Sequence, residues 1–427
     1  MKVLLSHPAG NQNVRAMLDA LTRADLLARF ATTVAADEKS AVAQLMPDGM
    51  RREWLRRSFD LPREKVLQHP WRELTRVACK AVGWKSAMQH ESGFASADAI
   101  FQDFDRFVGR SLRSVNAREP LGAVYAYEDS ALNTFRAAKA LGIKRIYDLP
   151  IAYWSLGRDL MQEEGERLPA WAPTLGGGLM DSHEKHDRKT QELEEADLVV
   201  VASQFVRDSL PASAAHKACV MSPFGTPPRW NGGWSDAALD ASRPLRVLFA
   251  GSMGQRKGLG DLMQAMNMLK GENIELIALG SMMAEPEFYL SQYAGLKHEK
   301  SRPHAEVLSL MRSCDVFCLP SIVEGRALVM QEAMSQGLPV VITPNTGGAD
   351  LVIEGRTGFL VPIRSPEKIA EKLAWLNQHR PELVAMKEQA AHHAAGYSWK
   401  AYGDTVVDAI LPLLQSAAPA GAAMLQR

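Results

Sequence analysis

Short apolar runs recur along the chain, each followed by a longer stretch in which apolar side chains return every three or four positions. In the first half the runs fall at 3–6, 123–127, 144–148 and 198–202, and in the second at 245–250, 274–279, 316–320 and 339–343. They are apolar nearly throughout and do not alternate with polar positions. That pattern predicts strands covered on both faces, in parallel sheets flanked by helices. The strand–helix rhythm is played out twice, so the chain reads as an α/β protein with two sheets. Between the halves, Thr226-Pro-Pro-Arg-Trp-Asn-Gly-Gly-Trp-Ser-Asp gathers Pro, Gly and turn formers and reads as a linker.

Composition narrows the picture. A chain of 427 residues is long enough for two cores, and 46% hydrophobic with 23% charged residues excludes collagen-like, disordered and disulfide-scaffold classes. The 49 basic and 49 acidic residues cancel, leaving no global field that would recruit nucleic acid. The four cysteines, Cys79, Cys219, Cys314 and Cys318, show no C-x-x-C pairing and are expected as free thiols of a reducing compartment. No apolar run is long enough to span a bilayer, and the one at the N-terminus is too short for a signal peptide. The expected location is cytoplasmic, or peripheral on the inner face of the cytoplasmic membrane.

One stretch breaks the balance. Residues 51–85 hold ten Lys or Arg against four acids, with Trp54, Leu55, Phe59, Trp71, Leu74 and Trp84 interleaved. Two readings fit: a helical insertion with a solvated charged face, or a basic amphipathic helix lying on anionic lipid.

Candidate chemistry gathers in the second half. The run ending at Pro320-Ser321 is followed by Glu324-Gly325-Arg326-Ala327-Leu328-Val329 and a helical pattern that Gly337 and Pro339 end. A helix start at the carboxyl end of a parallel strand leaves N–H groups unmatched and aimed at an anion, here from Gly325 to Val329. Glu324 and Glu332 frame this position. Eight residues at helical rise span about 12 Å, the reach of an extended nucleotide-sugar, and ionised carboxylates accept hydrogen bonds from polyols. Upstream, Phe249-Ala-Gly251-Ser252 leads to Arg256-Lys257-Gly258, where glycine allows close approach and the two cations suit phosphate. It is neither a Walker loop nor a G-x-G-x-x-G fingerprint. A third loop, Asn345-Thr-Gly347-Gly348-Ala-Asp350, is expected to complete a pyrophosphate pocket.

Taken in order, these pieces resemble the donor domain of retaining GT-B glycosyltransferases, group 1 (family 4). They are Phe249-Ala-Gly-Ser, Arg256-Lys257-Gly258, Cys314-Asp-Val-Phe-Cys-Leu-Pro-Ser, the Glu324-x7-Glu332 signature, Gln336-Gly-Leu-Pro, Gly347-Gly348 and Gly355-Arg-Thr-Gly358-Phe-Leu-Val-Pro362. The resemblance implies two Rossmann-like, doubly wound parallel-sheet domains facing a cleft. Residues 1–225 would bind acceptor, with a basic helical insertion at about 45–115. Residues 226–244 would be the linker, 245–396 the nucleotide-sugar domain, 397–415 a helix crossing back, and 416–427 a flexible tail.

It also implies a nucleoside-diphosphate sugar, UDP- or GDP-linked, as donor and a saccharide or lipid-linked acceptor, with no cofactor and no metal. Glu324 would contact the transferred sugar and Glu332 the ribose, while Lys257 with Arg256 would neutralise the diphosphate. Main-chain groups of Arg326, Ala327, Leu328 and Val329 would hold the phosphates, and Gly10-Asn11 would approach them from the first domain. The sequence departs from the family at Ser252, where Arg is common, and at 146–154, where many members carry a histidine. A nucleotide-sugar-binding scaffold without catalysis, or a GT-B epimerase, shares the same donor residues. His7, and Tyr127-Glu128-Asp129 at the preceding strand end, are further polar candidates in the first half, with helix capping by Asp129 as the alternative for the latter.

Overall fold

The computed structural model describes residues 1–37, 44, 51, 54–232, 240 and 242–416. Arg52, the Trp-Ser-Asp end of the expected linker, and the tail beyond Ser416 lie outside the described residues.

The first sheet has seven strands, all parallel: β1 Lys2–Ser6, β2 Leu27–Thr32, β3 Val66–Gln68, β4 Leu121–Tyr127, β5 Lys144–Leu149, β6 Leu198–Val201 and β7 Ala218–Met221. The second has six, also parallel: β8 Leu245–Ala250, β9 Ile274–Leu279, β10 Lys297–Glu299, β11 Val316–Leu319, β12 Val340–Ile342 and β13 Gly358–Leu360. Their orders are β3-β2-β1-β4-β5-β6-β7 and β10-β9-β8-β11-β12-β13. Both reverse direction once, at β1/β4 and at β8/β11. Chains leaving a sheet on opposite faces open a crevice at the carboxyl ends of such strands, and the loops after β1, β8 and β11 all start there.

Alternation within β1 shows why the runs are apolar throughout. Val3 and Leu5 enter the core on one face, with Met17, Leu21 and Phe30, whereas Leu4 enters the other, with Phe104, Val108 and Tyr147. Within the stretch 45–115 expected as an insertion, β3 joins the sheet and the helix Ala97–Arg118 buries Phe104, Val108 and Leu112 against it. That part of the stretch therefore belongs to the fold itself.

Two segments cross between the halves. The last helix, Trp399–Ser416, returns to the first domain, where Tyr402, Val406 and Ile410 pack with Met17 and Leu21 of the helix Gln12–Arg23. Gly403 lets the two helices touch, since a Cβ there would stand 2.5 Å from that of Ala20. The second crossing has no forerunner in the sequence pattern. The helix Trp154–Arg167 and the 3-10 stretch Pro169–Thr174 deliver Trp171 into the core of the second domain, edge-on to Phe288 at 4.8 Å.

Beside Trp171, the buried Glu164 accepts from Arg167, from Gln255 Nε2 at 2.9 Å and from Arg364. Burial opposes ionisation of Glu164, yet Arg167 and the other donors hold its carboxyl below the usual range. Asp261 accepts from Arg167 and Gln255 at 2.8 Å each, and burial raises its pKa. Gln255 is thereby held from both domains, immediately before Arg256 and Lys257.

The four cysteines are free, and Cys79, Cys314 and Cys318 are buried; burial pushes the Cys314 thiol up to about 11. Among the described residues no helix is long and apolar enough to cross a membrane.

Candidate active site

A cavity of about 610 Å³ occupies the crevice between the domains. From the second domain it is walled by Gly251, Ser252, Lys257, Glu324, Leu328 and Val329, and from the first by Asn11, Asn13 and Pro150.

Glu324 is the electrostatic centre. Its Oε1 accepts from Lys257 Nζ at 2.6 Å and from Arg256 Nη1 at 2.8 Å. Burial alone would favour the neutral acid, but the Lys257 and Arg256 charges outweigh it and hold the carboxyl below its ordinary range. Backbone bonds fix the loop that carries it: Glu324 N–H donates to Asn345 O at 3.2 Å, and Ile322 N–H to Arg256 O at 2.9 Å.

Two glycines make this geometry feasible. Gly251 has φ 143°, and a Cβ there would stand 2.8 Å from Lys257 Cδ, so the lysine reaches the cavity across a bare backbone. Gly325 lies against the first domain: a Cβ would meet Pro150 O at 1.8 Å, and its carbonyl accepts from Ser203 Oγ at 2.6 Å. The role expected for Gly325 is corrected accordingly. It seals the domain contact and does not line the cavity.

Other expectations are redistributed as well. The helix starts only at Leu328, so Glu324 lies on the loop before it and the helical ruler does not apply to all eight residues. Glu332 lines an adjoining cavity of about 440 Å³ with Gln12, Thr226, His304 and Trp399, and Leu328 stands in the wall of both. His304 Nε2 lies 3.1 Å from Glu332 Oε1.

The Ala327 N–H is not free, because it donates to Thr346 O at 3.3 Å. Leu328 and Val329, at the helix start, are the N–H groups a helix leaves unmatched. The Arg326 side chain turns away from any phosphate into a buried site, bonded to Asp350 Oδ1 at 2.7 Å, Gln331 Oε1 at 2.9 Å and Gly347 O at 3.1 Å, with the Tyr397 ring beside it. The third loop, 345–350, thus buttresses the Glu324–Arg326 loop from behind and does not complete the pocket. Arg256 faces the other way too, lining a smaller cavity of about 220 Å³ with Trp154, Asp181, His186 and Lys189.

On the first-domain side, Asn11 caps the helix Gln12–Arg23, its Oδ1 accepting from Val14 N–H at 3.1 Å, and lines the main cavity. Gly10 does not line it. A Cβ there would meet the Phe59 ring at 2.3 Å, so this glycine makes room for Phe59.

His7 accepts the Ala9 N–H at Nδ1, 2.9 Å away, and abuts the Tyr127 ring; burial pushes its pKa down to about 3. Asp129 does not cap the next helix, Leu132–Ala140. Glu192 does so, accepting from the N–H groups of Asp129, Ala131 and Leu132, and burial lifts its pKa to about 8. Glu128 is buried 3.4 Å from Lys189 Nζ, and the Tyr127 hydroxyl has no partner.

Sequence reasoning missed Asn13, Ser281, Ser301, Arg302 and Val307, all in the cavity wall. None sits in a motif, and Ser301 and Arg302 follow the three-residue edge strand β10. It also missed Asp148, which accepts from Tyr125 OH at 2.5 Å and lies 3.4 Å from Tyr402 OH; burial raises its pKa to about 7. Among the described residues, His90, Glu91 and Asp181 bring metal-type ligand atoms within 4.8 Å of one another, but Lys185 Nζ already occupies Asp181 Oδ1 at 2.9 Å.

Two parallel-sheet Rossmann-like domains facing a cleft, with a helix start and Lys257 in its second wall, define the GT-B fold. Residues 235–393 match the family described as glycosyl transferases group 1. Over its length the fold is similar to the sucrose-phosphate synthase of Thermosynechococcus elongatus, with a TM-score of 0.66 at 15% identity over 97% of this chain and 100% of that one. Anabaena HepE, solved with UDP and glucose, is similar at TM-score 0.59 and 15% identity, covering 96% and 99%.

In sequence, the chain is 29% identical to the D-inositol 3-phosphate glycosyltransferase of Corynebacterium urealyticum over 269 residues, which is 56% of this chain and spans 63% of that relative. It is also 29% identical to the colanic acid biosynthesis glycosyltransferase WcaL, described as putative, of Salmonella typhimurium, over 31% of this chain and 36% of that one.

Proposed function

We propose that the protein is a retaining, metal-independent glycosyltransferase that moves a sugar from a nucleoside diphosphate to a saccharide or lipid-linked acceptor in cell-surface polysaccharide assembly. The observation that carries this reading is the buried Glu324–Lys257–Arg256 cluster beside the helix start at Leu328. It puts a hydrogen-bond acceptor for sugar hydroxyls, the Lys257 cation and unmatched N–H groups in the wall of one cavity, with Arg256 holding Glu324 from behind.

In this reading the diphosphate lies along the Leu328–Val329 amides, and Lys257 turns from Glu324 toward it as negative charge develops on the leaving oxygen. The acceptor hydroxyl attacks the anomeric carbon from the side the diphosphate leaves. The bond to the leaving phosphate oxygen breaks, and that oxygen takes the acceptor's proton. Donors already in place where charge develops supply the largest part of such catalysis. Glu332, in the adjoining cavity, accepts from the ribose. The polysaccharide context rests on relatives such as WcaL.

The test is a melting-temperature screen with UDP, GDP, ADP and dTDP, followed by turnover assays. A nucleotide at 100 times its Kd adds about 2.7 kcal/mol of stability. Sustained nucleoside diphosphate release with a matching nucleotide-sugar, lost in Lys257→Ala and Glu324→Ala, supports the reading. Failure of all four nucleotides to move the melting temperature overturns the donor site. A change in the sugar without any acceptor overturns transfer in favour of epimerisation, and nucleotide binding without turnover across an acceptor panel favours a scaffold.

A further inference from the structure

The helix Trp71–Ala81 is packed inside out. Its only buried residue is Cys79, and Arg72 and Glu73 point inward. Glu73 takes Arg57 at 2.6 Å, while Arg72 donates to Phe94 O at 2.7 Å and lies 3.2 Å from Asp103. The face left in solvent carries Trp71, Leu74, Val77 and Ala78, and Val82 follows on the same face one turn on. Spacings of three, four and seven keep these positions on one side of a helix.

Trp71 is 72% exposed and Val82 77%. Trp84, at 53%, stands beside them with Phe94 edge-on at 5.5 Å. A helix of an ordinary globular surface does the reverse, and a contiguous apolar patch of this kind marks an interaction site.

Charge identifies the occupant. Lys80 and Lys85 are exposed, and with Arg76 they have no ion-pair partner among the described residues; Arg76 and Lys80 lie behind the apolar face, and Glu73, the acid of the helix, is already taken. Exposed apolar side chains with tryptophan, on a helix whose lysine and arginine charges are uncompensated, match the interface of an anionic bilayer. A second copy of this chain would instead bring the same cations against them.

Position agrees with this. The helix starts two residues after β3, so Trp71 stands at the carboxyl edge of the first sheet, the same edge from which Asn11 enters the cleft. We infer that Trp71, Leu74, Val77, Val82 and Trp84, with Lys80 and Lys85, dock the first domain on a membrane surface bearing anionic headgroups, with the cleft edge toward it. This docking stands apart from the sugar-transfer reading, since it needs neither donor nor acceptor.

The test is co-sedimentation of the full chain with vesicles of phosphatidylcholine, with and without phosphatidylglycerol, at low and high salt. The expected result is binding that requires phosphatidylglycerol and weakens with salt. It should fall about fivefold for each of Lys80→Gln and Lys85→Gln and about tenfold for Trp71→Glu. All three side chains are exposed, so the melting temperature of each variant should equal the parent's.

Absence of vesicle binding, equal binding to both vesicle types, or binding indifferent to Trp71→Glu overturns the inference. So does a concentration-dependent dimer, seen by sedimentation velocity, that Trp71→Glu dissolves while vesicles remain unbound; that outcome assigns the face to a second copy.

Discussion

On the second-domain wall of the cleft, Glu324 is mostly withdrawn from water beside Lys257 and Arg256 and stays ionised. On the first-domain side, Asp148 is buried beside the phenols of Tyr125 and Tyr402 and holds its proton to about pH 7. His7 nearby is held neutral, its pKa lowered by burial to about 3. Both sides remove charge-bearing groups from water, but Asp148 and His7 are given no opposite charge. Desolvation without a counter-ion drives a group neutral, whereas a partnered group keeps its charge at low dielectric, where it acts most strongly on a ligand. The second wall therefore keeps its charge, whereas Asp148 and His7 lie neutral behind a first wall whose cavity-lining Asn11, Asn13 and Pro150 are uncharged.

The largest effect expected concerns the segment that couples the two sides. Trp171→Ala empties a fully buried site in the second core and frees the arm that pins Gln255. A loss of about 3–5 kcal/mol is expected, read as a lower melting temperature. If the two sides answer to one another through this arm, nucleotide affinity falls as well, because Gln255 precedes Arg256 and Lys257. A destabilised variant that binds nucleotide as the parent does would show that the second wall organises itself alone.

Next comes Lys257→Ala. Removing one preorganised charge from where the leaving group forms should lower turnover by about 100- to 1,000-fold. The melting temperature should change little, because Arg256 still faces Glu324. Equal loss from Asn13→Ala on the opposite wall would erase the contrast between charged and neutral sides.

How far these features could be read from the residues follows the same division. The bounds of β8 and β9 coincide with the apolar runs at 245–250 and 274–279, because strands covered on both faces leave an uninterrupted signal. Strand β2 escapes that reading, since Arg29 interrupts it and is tolerated only because Glu119 pairs with it at 2.8 Å. The edge strands β3 and β10 are three residues long, and β10 is Lys-His-Glu, which carries no apolar pattern at all.

Glu324, Arg256 and Lys257 were visible as residues of loops at strand ends. Their convergence on one oxygen was not, because sixty-seven positions separate Lys257 from Glu324. Arg326 was legible only as a main-chain contributor to the cavity wall, and Asp350, brought close by the loop after β12, reveals its side chain as a brace. The first-domain network of Asp148, Tyr125 and Tyr402 joins β5, β4 and the last helix, a coincidence of tertiary packing with no local spacing.

That network yields a pH-dependent prediction. Asp148 has a folded pKa raised above its unfolded value, so the folded state binds its proton more tightly. Its contribution to stability is greatest below about pH 4 and declines as pH rises to about 7. His7 has a folded pKa lowered from 6.5 to about 3, so its contribution is present above pH 6.5 and lost as pH falls toward 3. Between about pH 4 and 6.5 the two slopes oppose one another, each up to about 1.4 kcal/mol per pH unit. Relative to the parent, Asp148→Asn should therefore gain stability with rising pH across that window, and His7→Asn should lose it. Urea titrations at several pH values measure both. Parallel curves for parent and variants would mean that neither group is held neutral, and the contrast between the walls would fail.

The smallest effect belongs to Glu332. It stands in the neighbouring cavity, separated from Glu324 by Leu328, and its partner among the described residues is the exposed His304 ring. A carboxylate this accessible accepts from a ribose in competition with water, so the net worth of the contact is about 1–2 kcal/mol. Glu332→Gln keeps the shape and one acceptor oxygen, and donor KM should rise about three- to tenfold with kcat nearly unchanged, because a ribose contact is made equally in ground and transition states. A fall in kcat with unaltered KM would place Glu332 at the reacting centre. The second wall would then carry two catalytic carboxylates, with Leu328 moving aside to join the cavities.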